Sequence, residues 1–267
     1  MTAPVRLAIN GASGRMGRAL STLVRGDRRF VLRRAVIDAD SELVGQPLHV
    51  PSTPDTPHYM TGWTADDALD VVIDFSSPTG LAAALAHCRA HKVALVTGTT
   101  GLGEDQEHQL DAASRNIPIL RAANFSLGVA VLTRLLREAV AALPDWDLEI
   151  IEAHHGRKQD APSGTALALG TAAAQARGGT LDSLAVHARH GQTGERAEGS
   201  IGFAVVRGGD IVGEHTALLA TRGERLELIH RATDRAIFAR GALTAAAWLA
   251  GRKPGSYTID QVLDRHA

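Results

Sequence analysis

Short apolar runs alternate with longer stretches of helical periodicity over the first half of the chain. Apolar runs of this length, bounded by turn residues, predict buried strands, and the longer stretches between them predict helices. Strands are predicted at Val5–Asn10, Phe30–Ile37, 70–75, 93–97 and 117–120, and helices from the glycine turn to about Arg25, at 79–91 and at 104–116. Residues 51–58 contain three prolines and are predicted to be a loop. The alternation predicts an α/β fold with a doubly wound, Rossmann-type parallel sheet over residues 1–125.

The pattern changes in the second half, where strands follow one another. Helices are predicted at Leu127–Ala142 and Gly164–Ala176, with a strand at 147–152 between them. Four β-like runs without intervening helices are predicted next, and a final apolar helix, capped by Asp234, extends to about Leu249. The β-like runs are 185–189, 200–207, 214–220 and 225–230. Residues 126–234 are therefore predicted to form a smaller α+β domain with an open mixed sheet.

Three glycines lie between the first predicted strand and the first predicted helix. Gly11, Gly14 and Gly17 have the spacing GxxGxxG, which allows a tight turn and a close approach of a pyrophosphate to a helix N-terminus. Asp38, at the end of the second strand, follows 21 residues after Gly17 and can accept both ribose hydroxyls. The alternative is a helix start with packing glycines. A carboxylate repels a 2′-phosphate and Ala39 comes next, so we predict NADH as the preferred cofactor, with NADPH tolerated.

Two further loops follow predicted strands and are expected to face the nicotinamide side of the cofactor. Ligands in open α/β sheets bind at the carboxyl ends of the strands. The loops are Gly98-Thr99-Thr100 and Ala122-Ala123-Asn124-Phe125. Spacing alone leaves open that these are polar turns without a ligand.

The densest chemistry lies just before the helix at Gly164–Ala176. His154, His155, Arg157 and Lys158 crowd ahead of this N-terminus, where Ser163 is a predicted N-cap. Cations repel the positive end of a helix, so the arrangement predicts a bound anion. The expected anion contacts are Lys158, His155, Ser163, Gly164 and Thr165. A metal site is disfavoured because neither HExxH nor zinc-type spacing is present, and a solvated basic loop remains the plainer alternative.

Lys158 stands out because the chain uses 25 arginines and only three lysines. A lysine beside other cations can give up a proton near neutral pH, whereas arginine cannot. This difference predicts Lys158 as a proton donor. Arg235, before the last helix, is a weaker candidate for the same neighbourhood.

Composition narrows the class of protein. The formal net charge is −1 and the hydrophobic fraction is 45%, which gives no global support for binding nucleic acid or a membrane surface. No apolar run reaches the ~18 residues of a membrane span. The start has no signal-peptide pattern, so the cytoplasm is expected. The single cysteine, Cys88, cannot form an internal disulfide and is predicted to be a buried apolar residue.

The run EIIEAHHGRKQDAPSGTA, with GASGRMG, GTTG, AANFSLGV and RGGDIVGEH, resembles the dihydrodipicolinate reductase family over essentially the whole chain. The resemblance implies hydride transfer from NAD(P)H to C4 of a cyclic dicarboxylate imine, with loss of water, in lysine and diaminopimelate biosynthesis. It implies a homotetramer assembled through the second-domain sheets, and a first domain completed by residues 235–267. Family members that use NADP often carry Arg after the acidic residue, where this chain has Ala39.

The resemblance also assigns roles to individual residues. It implies His154 as a proton donor or acceptor, Lys158 as the general acid, His155 as a substrate contact and Gly164 with Thr165 as a carboxylate site. The implied cofactor residues are Gly11, Ala12, Ser13, Gly14, Arg15, Met16, Asp38, Gly98, Thr99, Thr100, Ala122, Ala123, Asn124 and Phe125.

Two other functions are compatible with a dinucleotide fold. A sensor would bind NADH without turnover, but it would leave the cationic helix entrance unexplained. A semialdehyde dehydrogenase would need a cysteine nucleophile or a different Lys and Asp set, and Cys88 lies in a predicted helix away from these motifs.

Overall fold

The computed structural model describes residues 3–48, 56–64 and 68–264. The chain forms two compact units, Met1–Ser126 with Ala236–Ala267, and Leu127–Arg235. Most of the predicted proline-rich loop, residues 51–55, lies outside the described residues.

The first unit is built on a parallel sheet. Its strands are Val5–Asn10 (β1), Phe30–Ile37 (β2), Tyr59–Thr61 (β3), Val71–Asp74 (β4), Ala94–Thr97 (β5), Pro118–Arg121 (β6) and Gly255–Tyr257 (β12). They lie in the order β12-β6-β5-β4-β1-β2-β3, and every neighbouring pair is parallel.

Helices cover both faces of this sheet. The helices are Arg15–Val24 (α1), Pro78–His91 (α2), Glu104–Ser114 (α3) and Ala236–Leu249 (α7), and a 3-10 turn follows at Gln261–Leu263. Successive strand side chains point to opposite faces. Leu7 and Ile9 therefore join one core with α1 and α7, while Ala8 joins a second core with α2 and α3. The predicted doubly wound fold is confirmed.

The second unit pairs a mixed sheet with helices. Its elements are Leu127–Ala142 (α4), Asp147–His154 (β7), Gly164–Ala176 (α5), Leu181–Leu184 (α6), Ala185–Val186 (β8), Ile201–Arg207 (β9), Gly213–Thr221 (β10) and Glu224–Ala232 (β11). The order is β11-β10-β7-β9-β8, with β7, β9 and β8 parallel and β10 antiparallel to both β7 and β11. Leu136, Ile150 and Phe203 are buried in the core that α4 and α5 share with the sheet. The predicted mixed sheet is confirmed.

Several predicted bounds were wrong. The strand predicted at 185–189 pairs with β9 only over Ala185–Val186, and the short helix α6 precedes it. The strand predicted at 147–152 continues to His154, because His154 is still paired with Arg207 of β9. The edge strands β3 and β12 are each only three residues long, so a periodicity search does not detect them.

Candidate active site

The glycine turn is shaped by backbone contacts. Gly11 has a φ of +76°, and a Cβ there would lie 2.3 Å from the carbonyl oxygen of Phe75. A Cβ on Gly17 would lie 2.3 Å from the carbonyl oxygen of Gly11. Gly14 is the N-cap of α1 and has no side chain to satisfy the first amides of the helix. These amides and the positive end of the helix are the groups that bind a pyrophosphate.

A cavity of about 590 Å³ opens beside this turn. It lies at the carboxyl ends of β1, β2 and β4, the edge at which open α/β sheets bind ligands. Of the predicted cofactor residues, Gly11, Ser13, Gly14 and Asp38 line it, together with Ala39 and Trp63. The cavity size is typical of a ligand pocket. The glycine cradle, the uncapped helix start and the Asp38 carboxylate are groups that fit a nicotinamide dinucleotide.

A buried carboxylate organises the loops around this cavity. Asp74, at the end of β4, is fully buried. Its Oδ1 accepts hydrogen bonds from Asn10 Nδ2 at 2.7 Å and from Ser76 Oγ at 2.5 Å. Its Oδ2 accepts from Thr97 Oγ1 at 2.8 Å and from Thr99 Oγ1 at 2.6 Å. One side chain thus ties together the carboxyl ends of β1, β4 and β5.

The remaining predicted cofactor residues occupy different settings. Thr99 is held by Asp74, and a Cβ on Gly98 would lie 2.2 Å from the ring of Phe75. Phe125 is 2% exposed and its ring meets Phe75 edge to face at 5.3 Å. Arg15, Thr100 and Ala123 are exposed, Ala12 is buried, and Met16, Ala122 and Asn124 are half-buried. Their contacts with a cofactor remain predictions.

In the second unit, the sheet face that forms the apolar core becomes polar at one end. Leu148, Ile150, Glu152 and His154 share this face because they alternate along β7. Arg207 is the register partner of His154 on β9, and His215 is the partner of Glu152 on β10. The N-terminus of α5 meets this polar end through Ser163, which is hydrogen-bonded to both Glu152 and His215.

Glu152 is the centre of the polar cluster. Its side chain is fully buried, and Oε2 lies 2.6 Å from Nδ1 of His154. Burial alone would raise the pKa of Glu152. Hydrogen bonds from Arg207, His154 and the Ser163 amide outweigh this and hold the pKa below its ordinary value. Glu152 is therefore an anion at neutral pH.

His215 forms the back of the cluster. Its ring meets His154 edge to face with centroids 5.3 Å apart, and Nε2 lies 3.1 Å from Ser163 Oγ. Burial, with a smaller contribution from His154, lowers the pKa of His215 to about 4. His215 is thus neutral at physiological pH.

The loop after β7 is tied to the loop between β9 and β10. His155 N–H donates to the Ile211 carbonyl at 2.8 Å, and Gly208 N–H donates to the His154 carbonyl at 2.9 Å. Lys158 Nζ lies 2.8 Å from both carboxylate oxygens of Asp160. Lys158 lowers the pKa of Asp160 through this pair. The motifs EAHHGRK and RGGDIVGEH, distant in sequence, are thus brought together.

The cationic character of this loop is visible at His155. Desolvation lowers the pKa of His155, and the charges of Arg235 and Arg157 lower it further. Arg235 therefore lies close enough to act electrostatically on His155. His154, His155 and Lys158 lie at the end of β7 and in the loop after it, and Ser163 lies at the start of α5; their roles stay predictions.

Ser163 has its polar atoms engaged within the chain. Its amide donates to Glu152 Oε1 at 2.9 Å, and its Oγ accepts from the Ala166 amide at 3.2 Å as the predicted N-cap. Gly164 is exposed and Thr165 is half-buried in the first turn of α5. Binding of substrate by Ser163, Gly164 and Thr165 stays a prediction.

Three important residues were missed by sequence reasoning. Asp74 ends an otherwise apolar strand, and a charge at such a position was the available signal. Arg207 lies 55 residues beyond its partner Glu152, and His215 lies 52 residues beyond its partner Ser163, so only the fold brings each pair together.

Within residues 3–48, 56–64 and 68–264, no group of three His, Cys, Asp or Glu side chains is arranged to hold a metal ion. In the same described ranges, every helix is too short or too polar to cross a membrane.

The doubly wound unit and its glycine turn form a dinucleotide-binding fold of the kind that nicotinamide-dependent oxidoreductases use. Two family models match the chain, dihydrodipicolinate reductase, N-terminus, over residues 5–125 and dihydrodipicolinate reductase, C-terminus, over residues 128–263. The chain belongs to the dihydrodipicolinate reductase family, and the resemblance seen in its motifs is confirmed. It is therefore an NAD(P)H-dependent reductase of lysine and diaminopimelate biosynthesis.

Solved structures share this fold. A dipicolinate-bound dihydrodipicolinate reductase from Paenisporosarcina sp. TG-14 is 24% identical, with 97% of this chain and 100% of that chain covered and a TM-score of 0.80. GenD2 from gentamicin A biosynthesis, in complex with NAD, is 15% identical, with coverage of 98% and 91% and a TM-score of 0.56. The DAP dehydrogenase of C. glutamicum, in complex with DAP, is 15% identical, with coverage of 100% and 97% and a TM-score of 0.54.

Proposed function

We propose that this protein reduces 4-hydroxy-tetrahydrodipicolinate to tetrahydrodipicolinate and water. The observation that carries the proposal is the cluster at the end of β7, where His154 and Lys158 are each held by a carboxylate ahead of the α5 N-terminus. When bound, NAD(P)H supplies the hydride that C4 of the substrate receives.

His154 and Lys158 handle the protons of this reaction. Loss of the 4-hydroxyl as water requires a proton, and Lys158 delivers it as the general acid. His154, with Nδ1 on Glu152, has Nε2 free to donate or accept a proton.

The substrate carboxylates are bound by the cationic loop and the helix start. Arg157, Lys158 and Arg235 provide positive charge, His155 adds a ring that can hydrogen-bond a carboxylate, and the first turn of α5 adds amides at Gly164 and Thr165. A related reductase of known structure is dipicolinate-bound, which supports a small planar dicarboxylate as the ligand class.

NADH is the preferred cofactor in this proposal. Asp38 and Ala39 line the cavity at the end of β2, where a carboxylate accepts ribose hydroxyls and repels a 2′-phosphate. The preference is measured as the ratio of kcat/KM for the two cofactors. A tenfold advantage for NADPH, about 1.4 kcal/mol, would contradict it.

The protein is proposed to be a cytoplasmic homotetramer assembled through the second-unit sheet. On the sheet face opposite the core, Val206 and Ile229 are 48% and 42% exposed, which makes their apolar surface available for contact between subunits. Val206→Asp or Ile229→Asp should dissociate the assembly in light scattering. Val44→Asp, at an equally exposed position of the first unit, is the control.

The activity is tested by NAD(P)H oxidation with enzymatically prepared substrate. Lys158→Ala and His154→Ala should each lose about a hundredfold or more in kcat, the usual worth of a general acid. Lys253→Ala, which removes a different lysine, is the control. Full activity in Lys158→Ala would sink the assignment of the general acid.

Two further outcomes separate the alternatives. Pyridine-2,6-dicarboxylate should compete with the substrate, and failure to compete would count against the dicarboxylate site. Cofactor binding without any consumption of NADH would favour the sensor hypothesis.

A further inference from the structure

We infer that Glu152, itself fixed by Arg207, is the positioning residue that holds His154 in one tautomer with Nε2 as its reactive nitrogen. This inference rests on the proposed role of His154 in proton transfer. It adds Glu152 and Arg207 to the machinery of the site as residues that act through His154.

Hydrogen bonds hold the carboxylate of Glu152 in one orientation. Oε2 pairs with His154 Nδ1 at 2.6 Å and accepts from Arg207 Nη1 at 2.8 Å. Oε1 accepts from the Ser163 amide at 2.9 Å and from Arg207 Nη2 at 2.8 Å. Four donors thus surround a fully buried side chain, and the bidentate guanidinium fixes its plane.

The charge of Glu152 decides which ring nitrogen of His154 carries the proton. An ionised carboxylate only accepts hydrogen bonds, so Nδ1 of a neutral His154 must be the donor. The partners of Glu152 keep its pKa low despite burial, and the carboxylate therefore stays ionised. The remaining nitrogen, Nε2, is left to exchange a proton with a ligand.

The space at Nε2 is provided by Gly213. A Cβ on Gly213, at the start of β10, would lie 3.0 Å from Nε2 of His154. Any side chain at position 213 would therefore crowd Nε2, the ring nitrogen that does not contact Glu152. The carboxylate thus contacts Nδ1 of this ring, and the glycine lies next to Nε2.

Arg207 is also linked to Lys158, through Asp160. Arg207 Nη2 also donates to the Asp160 carbonyl at 2.7 Å, and the carboxylate of Asp160 holds Lys158. Arg207 therefore connects the support of His154 to that of Lys158.

The experiment is a double-mutant cycle with the full-length protein. Glu152→Gln keeps the shape of the side chain but removes its charge, and it should lower kcat about tenfold or more while the Kd for NADH stays within twofold. If Glu152 acts through His154, the combination of Glu152→Gln with His154→Gln should be no slower than His154→Gln alone. If Glu152→Gln lowers kcat by the same factor in the His154→Gln background as in the parent, the inference is overturned.

The matched control is Glu149→Gln. Glu149 lies three residues earlier on β7, and its carboxylate also pairs with two arginines, Arg189 and Arg196, but with no histidine. Its loss should leave kcat within twofold. A drop equal to that of Glu152→Gln would mean that charge loss on β7 in general, and not support of His154, slows the enzyme.

A spectroscopic measurement separates this inference from the proposed function. The ¹⁵N signals of the neutral His154 ring, identified by their loss in His154→Gln, should show a protonated Nδ1 in the parent and mixed tautomers in Glu152→Gln. An unchanged tautomer would overturn the positioning role whatever the kinetics. The two proposals can also fail separately. If the tautomer changes in Glu152→Gln but His154→Gln keeps its full kcat, the positioning role of Glu152 is supported and the proposed role of His154 in proton transfer is refuted. If Glu152→Gln does not fold, Arg207→Lys, which keeps the charge but loses the bidentate contact, takes its place in both measurements.

Discussion

Asn10 and Asp74 are register partners on neighbouring strands, and the amide of Asn10 donates to the carboxylate of Asp74 at 2.7 Å. Three hydroxyls complete the shell of this carboxyl group, so both of its oxygens are hydrogen-bonded without a cation partner among the described residues. The cost of burying it is offset only while every donor remains in place.

Asp74→Ala should therefore destabilise the protein by about 3 kcal/mol or more, because it leaves the buried hydroxyls of Thr97 and Thr99 without an acceptor. Asp70→Ala, which removes a half-exposed carboxylate paired with Arg6 just before the same strand, should cost about 1 kcal/mol or less. Urea unfolding of both variants makes the comparison. Equal losses would mean that the Asp74 network adds nothing beyond an ordinary ion pair.

Gly14→Ala separates cofactor binding from folding. The φ of Gly14 is −70°, and a Cβ there would meet only the Gly11 carbonyl, at 3.3 Å. The free energy of unfolding of the variant should lie within about 1 kcal/mol of that of the parent, while its methyl group should weaken NADH binding about tenfold. Gly11→Ala should instead also lower the Tm, because Gly11 has a positive φ and a Cβ there would contact the Phe75 carbonyl.

Ala39→Arg should shift the cofactor preference towards NADPH. A guanidinium beside Asp38 at the cavity wall would offset the carboxylate and bind a 2′-phosphate. We expect kcat/KM for NADPH to rise about tenfold, or about 1.4 kcal/mol. Ala39→Gln, which has a polar side chain without the charge, should leave the ratio near that of the parent.

His215 makes the stability of the protein depend on pH. Folding lowers its pKa from 6.5 to about 4, so between these two pH values the unfolded chain binds a proton that the folded chain does not bind. The stabilisation is present above pH 6.5 and is lost as the pH falls towards 4, on the order of 3 kcal/mol in full.

Between about pH 6.5 and 5.5 the acidic side chains with lowered pKa values are almost entirely ionised in both states, so the slope in this interval comes mainly from the histidines. The pKa values of His155 and His230 are lowered too and act in the same direction. His215→Gln should flatten the slope of unfolding free energy against pH. His108→Gln, exposed on α3, controls for the loss of a histidine, and an equal flattening there would contradict the assignment.

The sequence predicted those parts of the fold that depend on local pattern. The strands β1 and β2 and the helices α4 and α5 have the predicted bounds, because they are mostly apolar and turn or breaker residues follow them. The edge strands β3 and β12 depend on pairing with distant strands, and three residues carry no period.

The candidate site divides in the same way. His154, Lys158 and Ser163 lie within ten residues and could be grouped from their order alone. Arg207 comes 55 residues after Glu152, and its guanidinium reaches the carboxylate only because β7 and β9 pair in one register. Contacts that register creates are invisible to a search for local motifs.

The last helix, α7, contributes Ala239, Leu243 and Ala246 to the core whose other walls come from β1 and α1. A ribosome must therefore synthesise the whole of Leu127–Arg235 before the first unit receives these side chains. The inserted unit has its own core and all its strands by then, so it can fold during translation, while the dinucleotide unit is completed last. Cofactor binding on the nascent chain should accordingly begin only after α7 has emerged.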